Sequence, residues 1–175
     1  MSGGAKAERP SKVPEPNEFA MFNTDQQTVI RVSMTDSTNP LASFSQHSVS
    51  LDGGDWPSVE HYFQGMKFLA PELRALLLGA AHPATARQLA KQHRRRMRAD
   101  WKQIEETVMT RGVYVKCRTH EEAATALLAT GNDRILETSQ YDYRWGCGRD
   151  GRGKNAYGRI LMAVRDKLRG LPEEG

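Results

Sequence analysis

The stretches of this chain that read as strands lie far apart, and nearly everything between them reads as helix. Thr28-Val29-Ile30-Arg31-Val32 is rich in β-branched residues and predicts a short strand. His47-Ser48-Val49-Ser50-Leu51 alternates in polarity, and Asp52-Gly53-Gly54 then turns the chain. The next strand pattern, Arg134-Ile135-Leu136-Glu137-Thr138-Ser139, comes only after a long helical middle. A regular βαβ repeat does not fit that order, and no internal repeat is visible. The predicted fold class is α+β: a single compact, helix-rich domain with a few short strands.

The helical middle carries its own punctuation. Ser58, after Pro57, is a good N-cap for a helix starting near Val59. Pro71 and Pro83 stand where a first helical turn tolerates proline. Asp100 can cap a long helix striped by Trp101, Ile104, Val108 and Val115. Thr119 with Glu122 has the form of a capping box, and Gly131 can end that helix. A glycine-rich loop leads to a last helix, capped by Asn155, striped by Tyr157, Leu161, Val164 and Leu168, and closed by Gly170. Residues 1–17 carry Gly3, Gly4, Pro10, Pro14 and Pro16 among small and charged residues, which predicts a disordered lead-in. The domain is expected over residues 18–171, with 172–175 as a tail.

Composition narrows the function classes. A length of 175 residues suits one domain with a substantial core. Hydrophobic residues at 38% and charged residues at 26% read as a soluble globular chain. No apolar run approaches the roughly 18–20 residues that cross a bilayer, so no membrane partner is expected. The N-terminus has no apolar core of a secretory signal, which predicts an intracellular protein, cytoplasmic or, in a eukaryote, nuclear. Cys117 and Cys147 belong to no CxxC pair or Cys/His cluster, so neither a disulfide framework nor a metal is expected. The net charge of +4 is unevenly spread. Leu73 to Ala99 holds no acid but contains Arg74, Arg87, Lys91, Arg94, Arg95, Arg96 and Arg98. A second basic block runs from Arg144 to Arg169. Such blocks attract phosphates or simply form solvated arginine faces.

Three segments have chemistry to offer. In Val59-Glu60-His61-Tyr62-Phe63-Gln64-Gly65-Met66-Lys67-Phe68, a turn of about 100° per residue puts Val59, Tyr62, Phe63, Met66 and Leu69 on a core-facing arc. Glu60, Gln64 and Lys67 share a neighbouring arc, with Glu60 and Lys67 separated by about 10 Å along a continuous helix. A ligand along that face would meet a carboxylate at one end and an amine at the other; solvated ends of an ordinary amphipathic helix are the plainer alternative. His61 is a proton carrier or a packing residue. In Tyr141-Asp142-Tyr143-Arg144-Trp145-Gly146, one acid among three aromatics suggests a pocket wall, or a corner where Asp142 caps a turn. Gly146-Cys147-Gly148-Arg149-Asp150-Gly151 matches G-x-G-x-x-G, but too little chain follows for a dinucleotide fold. With Arg149, Arg152 and Lys154 it is a phosphate cradle or a turn.

These pieces recur in a recognisable order. Asn39-Pro40-Leu41-Ala42-Ser43-Phe44, Trp56 through Gln64 with Lys67-Phe68, Asp100-Trp101 with Val108-Met109, and Leu127 through Gly131 resemble the NADAR family, the YbiA-like N-glycosidases. Asp142-Tyr143-Arg144-Trp145-Gly146, Gly153-Lys154-Asn155-Ala156-Tyr157-Gly158 and Ile160 through Arg165 extend the resemblance over roughly residues 28–170. Where that family usually carries an asparagine before the phenylalanine of its first motif, this chain has Ser43.

The resemblance implies a compact, helix-rich α+β fold without metal or cofactor. It also implies hydrolysis of the bond between a ribose and the amino group of a heterocycle. By motif, Glu60, Trp101 and Asp142 fall at the family's functional positions; Lys67 joins them on the geometric argument above. Glu60, Lys67 and Asp142 are therefore expected to be catalytic. Substrate contacts are expected from Asn39, Tyr62, Gln64, Trp101, Trp145, Gly146 and Asn155, which lie in the same motifs. The expected partner is ADP-ribose, or ADP-ribosylated guanine in DNA or RNA; ribosylated riboflavin-synthesis intermediates are the alternative substrate. A non-catalytic ADP-ribose-binding module is the alternative of another class, and the oligomeric state stays open. Cleavage needs positive charge stabilised at the anomeric carbon and a proton for a poor leaving group, each worth roughly 10²–10⁴ in rate from a positioned group. Carboxylates can supply both, or Lys67 could attack an opened ribose and form a Schiff base.

Overall fold

The computed structural model describes residues 28–172, so the predicted lead-in 1–17, residues 18–27 and tail residues 173–175 lie outside the described residues. In chain order the elements are β1 (Val29–Val32), β2 (Val49–Leu51), β3 (Gly54–Trp56), α1 (Val59–Gly65), α2 (Pro71–Leu78), α3 (Pro83–Gln92), α4 (Trp101–Thr119), α5 (Glu121–Leu128), β4 (Arg134–Glu137) and α6 (Ala156–Arg169). The α+β expectation holds. β1 pairs in parallel with β4 from Val29↔Arg134 to Val32↔Glu137, so the strands that flank the helical middle close on each other. The alternation of the β2 sequence needs a partner, and β3 supplies it as a hairpin. Asp52 and Gly53 make its turn with φ of 48° and 80°, the paired left-handed conformation that matches strand twist.

α4 packs against α1, α5, α6 and β2, and α6 covers β4. Val59, Tyr62, Phe63, Trp101, Met109, Val113, Ile135, Tyr157 and Leu161 belong to the core formed between them. A smaller core of Phe68, Leu73, Leu77, Ala86 and Ala90 lies under α2 and α3. α1 departs from the amphipathic expectation, because every one of its residues is buried. Gly65 makes this possible: a Cβ there would run into the Trp56 ring. His61 is a packing residue. Its Nε2 lies 3.0 Å from the Ala80 carbonyl, which only an N–H can satisfy, so Nδ1 accepts from Ser58 Oγ at 2.8 Å. Burial also pushes its pKa below the ordinary histidine value.

Other local expectations change. α1 stops at Gly65 and the chain tightens into i→i+3 bonds, Lys67 N to Gln64 O and Phe68 N to Gly65 O. Leu69, expected on the core face, is therefore 64% exposed, and Phe68 fills the core instead. Asp100 precedes α4 but spends its carboxylate on Arg98 rather than on the helix. Thr119 is still inside α4, and His120 joins it to α5 without a side-chain cap, so no capping box forms. Asn155 precedes α6 in a left-handed conformation, φ 49°, with its side chain turned to β4. Gly170 closes α6 as expected.

Lys116 on α4 is 1% exposed. Its ammonium donates to Pro40 O at 2.7 Å, Ala42 O at 2.9 Å and Ser45 Oγ at 3.2 Å, so three donors meet three acceptors. Burial brings its pKa down to about 8, which leaves it mostly charged at neutral pH. The 39–45 loop is thereby fastened to the longest helix. Lys116→Met should keep the volume and orphan those acceptors, lowering unfolding stability by about 2–4 kcal/mol in urea titrations. A loss under 0.5 kcal/mol (on the order of a surface substitution) would show that the loop is held by other contacts.

Candidate active site

Glu60 has no exposed surface. A carboxylate in that position needs donors, and three converge on it. Ser43 Oγ donates to Oε2 at 2.9 Å; Gln64 Nε2 and Arg87 Nε donate to Oε1 at 2.7 and 2.9 Å. Ser43 also receives the Glu60 backbone N–H at its carbonyl, 3.0 Å away. The departure from the family's asparagine therefore leaves a donor in place, and the Lys116-held loop sets its position. Gln64 lies one turn beyond Glu60, which is why its amide reaches back. Its Oε1 is buried and takes no hydrogen bond among the described residues. Arg87 comes from α3, with its guanidinium carbon 4.7 Å from the Phe44 ring centroid. Its side chain is 44% exposed, so it forms the outer cover of Glu60.

Lys67 follows Gly65 in the tightened turn, and its amine feels the Glu60 charge. Burial pushes the Lys67 amine below the ordinary lysine value. Glu60 and Glu105 pull it up, while Arg87 and Lys102 push it further down. Lys67 Nζ lies 5.3 Å from the Phe63 ring centroid and 5.9 Å from that of Trp101. Phe63 meets Trp101 edge-on at 5.0 Å and Trp145 at 5.3 Å. Phe63 of α1 and Trp101 of α4 thus stand beside the depressed amine, and Trp145 from the loop after β4 joins them through Phe63. Glu105, 3% exposed, faces Arg144 Nε at 2.6 Å and Lys102 Nζ at 3.8 Å. The Arg144 contact is a charge pair without aligned hydrogen-bond geometry.

The structure thus brings together Glu60, Gln64, Lys67, Trp101 and Trp145. Asp142 reaches the group only through its neighbours: its Oδ1 accepts from the backbone N–H of Arg144 at 2.9 Å and of Trp145 at 2.7 Å. That is a turn which holds the Trp145 backbone, the corner alternative read from the sequence. Tyr62 points the other way, donating to Asp52 Oδ2 at 2.8 Å with its ring against Trp56. Asn39 Oδ1 accepts from Leu41 N at 2.9 Å within the 39–45 loop. Gly146 is small because a Cβ would strike Glu137 Oε2. Asn155 accepts from Glu137 N at 2.8 Å and donates to Ile135 O at 2.8 Å, which ties α6 to β4. Ser43's hold on Glu60, Arg87 and Glu105 escaped the sequence reading. Arg87 is one arginine in an unbroken basic stretch, and nothing local distinguishes it. Among the described residues no group of three or more His, Cys, Asp or Glu could hold a metal ion, and no helix is long and apolar enough to cross a membrane.

Known proteins share this framework. The N-glycosidase YbiA of Escherichia coli (strain K12) is 33% identical over 144 residues, covering 82% of this chain and 90% of YbiA. The N-glycosidase Npun_R5314 of Nostoc punctiforme is 35% identical over 134 residues, 75% of this chain and 86% of that protein. The riboflavin biosynthesis protein VVA0006 of Vibrio vulnificus is 41% identical over 128 residues, 73% of this chain but 35% of that protein. The NMR structure of the E. coli protein YbiA superimposes with a TM-score of 0.72 at 31% identity, covering 86% of this chain and 93% of that one. The sequence pattern of the NADAR domain matches residues 20–169, and the chain belongs to the NADAR domain family.

Proposed function

We propose that this protein is an N-glycosidase that removes ADP-ribose from the amino group of guanine in DNA or RNA. The observation that carries the chemistry is the partly buried Lys67 amine, depressed by burial and set between Glu60 and an aromatic wall. Relatives named as N-glycosidases support the bond class. The guanine substrate rests on the family resemblance and on the basic surface beside Lys67. Arg98 N donates to Lys67 O at 2.8 Å, and the arginine turn of residues 94–96 precedes this contact in the chain, which supports that reading.

In this reading Trp101 and Trp145 take the flat faces of the substrate, and the free carbonyl of Gln64 accepts from a ribose hydroxyl or an amino group. The neutral Lys67 amine attacks C1 of the opened ribosyl unit. Its proton passes to the departing guanine nitrogen, which leaves as the free amine. Water then adds to the lysine imine, releasing the ribose aldehyde and restoring the amine. Glu60 exchanges protons with Lys67 and with the attacking water once a substrate phosphate or hydroxyl draws Arg87 aside. Asp142 holds the turn that carries Trp145. The name of the Vibrio relative favours a second substrate, a ribosylated intermediate of riboflavin synthesis, which would use the same bond chemistry.

Incubation with an ADP-ribosylated guanine oligonucleotide should release free ADP-ribose. Binding without release would favour a non-catalytic reader, and release only from a small ribosylated pyrimidine would favour the second substrate. Glu60→Gln keeps the shape and should lose about two to four orders of magnitude in kcat, the usual worth of a positioned proton carrier. Wild-type turnover by that variant would remove Glu60 from the mechanism.

Borohydride added during turnover should trap a covalent adduct that Lys67→Ala no longer forms. Only the neutral amine attacks, so activity should rise with pH as Lys67 loses its proton. Because burial lowers that pKa, the rise should level off below 10.5, the ordinary lysine value. Absence of an adduct, with a profile flat in pH, would leave activation of water by a carboxylate as the route.

The arginine turn makes a separate prediction. Arg96 already pairs with Glu72 at 2.5 Å and Arg98 with Asp100 at 2.6 Å, so Arg94 and Arg95 are the residues left to meet a polynucleotide. Replacing both with glutamine should reduce the slope of log K against log[salt] by about 0.7 per lost contact for a single strand. Binding of a modified mononucleotide should be unchanged. An unaltered slope would remove this turn from the interface.

A further inference from the structure

A charged feature outside the Glu60 group lies on the outer face of the β1–β4 sheet. In the parallel register Arg31 sits opposite Leu136, and Arg134 opposite Val29. With a side-chain period of two, Val29, Arg31, Arg134 and Leu136 share one face, while Val32, Ile135 and Glu137 fall on the buried one. Arg31 and Arg134 are therefore diagonal neighbours on an exposed surface. The glycine-rich loop folds back across this face, held by Gly153 N to Cys147 O at 2.7 Å. Gly148 and Gly151 adopt φ of 68° and 75°, which lets the loop turn there and brings in Arg149. The result is a cavity of about 610 Å³ lined by Arg31, Arg134, Arg149, Thr138 and Gln140, among others, and by no acid. It shares no residue with the Glu60 group.

None of these three arginines forms an ion pair with another described residue. The neighbouring acid, Asp150, accepts from Arg152 N, faces Arg152 Nε at 3.6 Å, and does not line the cavity. Three like charges from β1, β4 and the loop, gathered around a concave space with hydroxyl and amide side chains, repel one another unless an anion lies between them. Guanidinium forks match phosphate oxygens in geometry as well as charge. The volume falls within the roughly 300–1,000 Å³ usual for small-ligand sites.

We propose that this cavity is a phosphate-binding site, separate from the reacting centre, formed by Arg31, Arg134 and Arg149. Its ligand chemistry is one or two phosphate groups, from a polynucleotide backbone or from a nucleotide diphosphate. The site does not depend on the activity assigned to the Glu60 group, and its test needs no turnover.

The probe is inorganic pyrophosphate, titrated into the full chain by calorimetry at low salt. Wild type should bind it. Arg31→Gln/Arg134→Gln, with circular dichroism and urea midpoint unchanged, should bind at least tenfold more weakly. No binding by wild type, or equal binding by the double variant, overturns the proposal. Two further arms name the source. A backbone phosphate predicts that the double variant lowers the salt slope for an unmodified single strand by about 0.7 per lost contact. A diphosphate predicts that it weakens ADP-ribose and leaves the strand alone. A double variant that binds both like wild type would overturn the site as a biological one.

Discussion

A carboxylate held away from water has to find its donors inside the protein, and much of this fold is arranged around that need at Glu60. The donors come from three places: the 39–45 loop through Ser43, the same helix through Gln64, and α3 through Arg87. Each is in turn fixed by something else. Lys116 pins the loop, the Gly65–Trp56 contact lets α1 sink between its neighbours, and Phe44 carries the Arg87 guanidinium. Losing any one of these supports would leave a charge without its partners, a more severe defect than a lost apolar contact.

A second buried carboxylate, Glu137, has amide and hydroxyl donors in place of a cation. It accepts from Met34 N at 3.1 Å and from Ser139 N and Oγ at 2.9 and 2.8 Å. Its own backbone N–H goes to Asn155, and its carbonyl receives Cys147 N. The residue ends β4, so it fastens β1, the glycine-rich loop and the start of α6 at one point. Glu60 and Glu137 illustrate two ways of burying the same group, one paired with the half-exposed Arg87 and one closed by amide and hydroxyl donors.

Much of the framework was legible in the sequence because it rests on local patterns. The β-branched runs, the Ser58 cap, the prolines of α2 and α3 and the stripe of α6 all translate directly into elements. What escaped depends on contacts between distant segments. Seven residues from Val59 read as the start of a longer amphipathic helix, since nothing local says that every side would be covered. Asn155 looks like a cap, but the β4 backbone competes for its amide and wins. Glu60, Lys67 and the tryptophans could be singled out by motif and helical phase. Arg87 and Glu105 could not, because their importance comes from which charge they face after folding.

The parallel pairing of β1 with β4 also sets an order of events. Such a pair joins residues about a hundred positions apart, and closing that distance is repaid only when both strands are present. During synthesis β1 emerges early and keeps an unpaired edge until α1 to α5 have left the ribosome. The helical middle can gather meanwhile through neighbouring contacts, but the outer sheet face with Arg31 and Arg134 side by side exists only after the final strand docks. A chain stalled before Glu137 would therefore display an open β edge, the kind of surface chaperones bind and aggregates recruit.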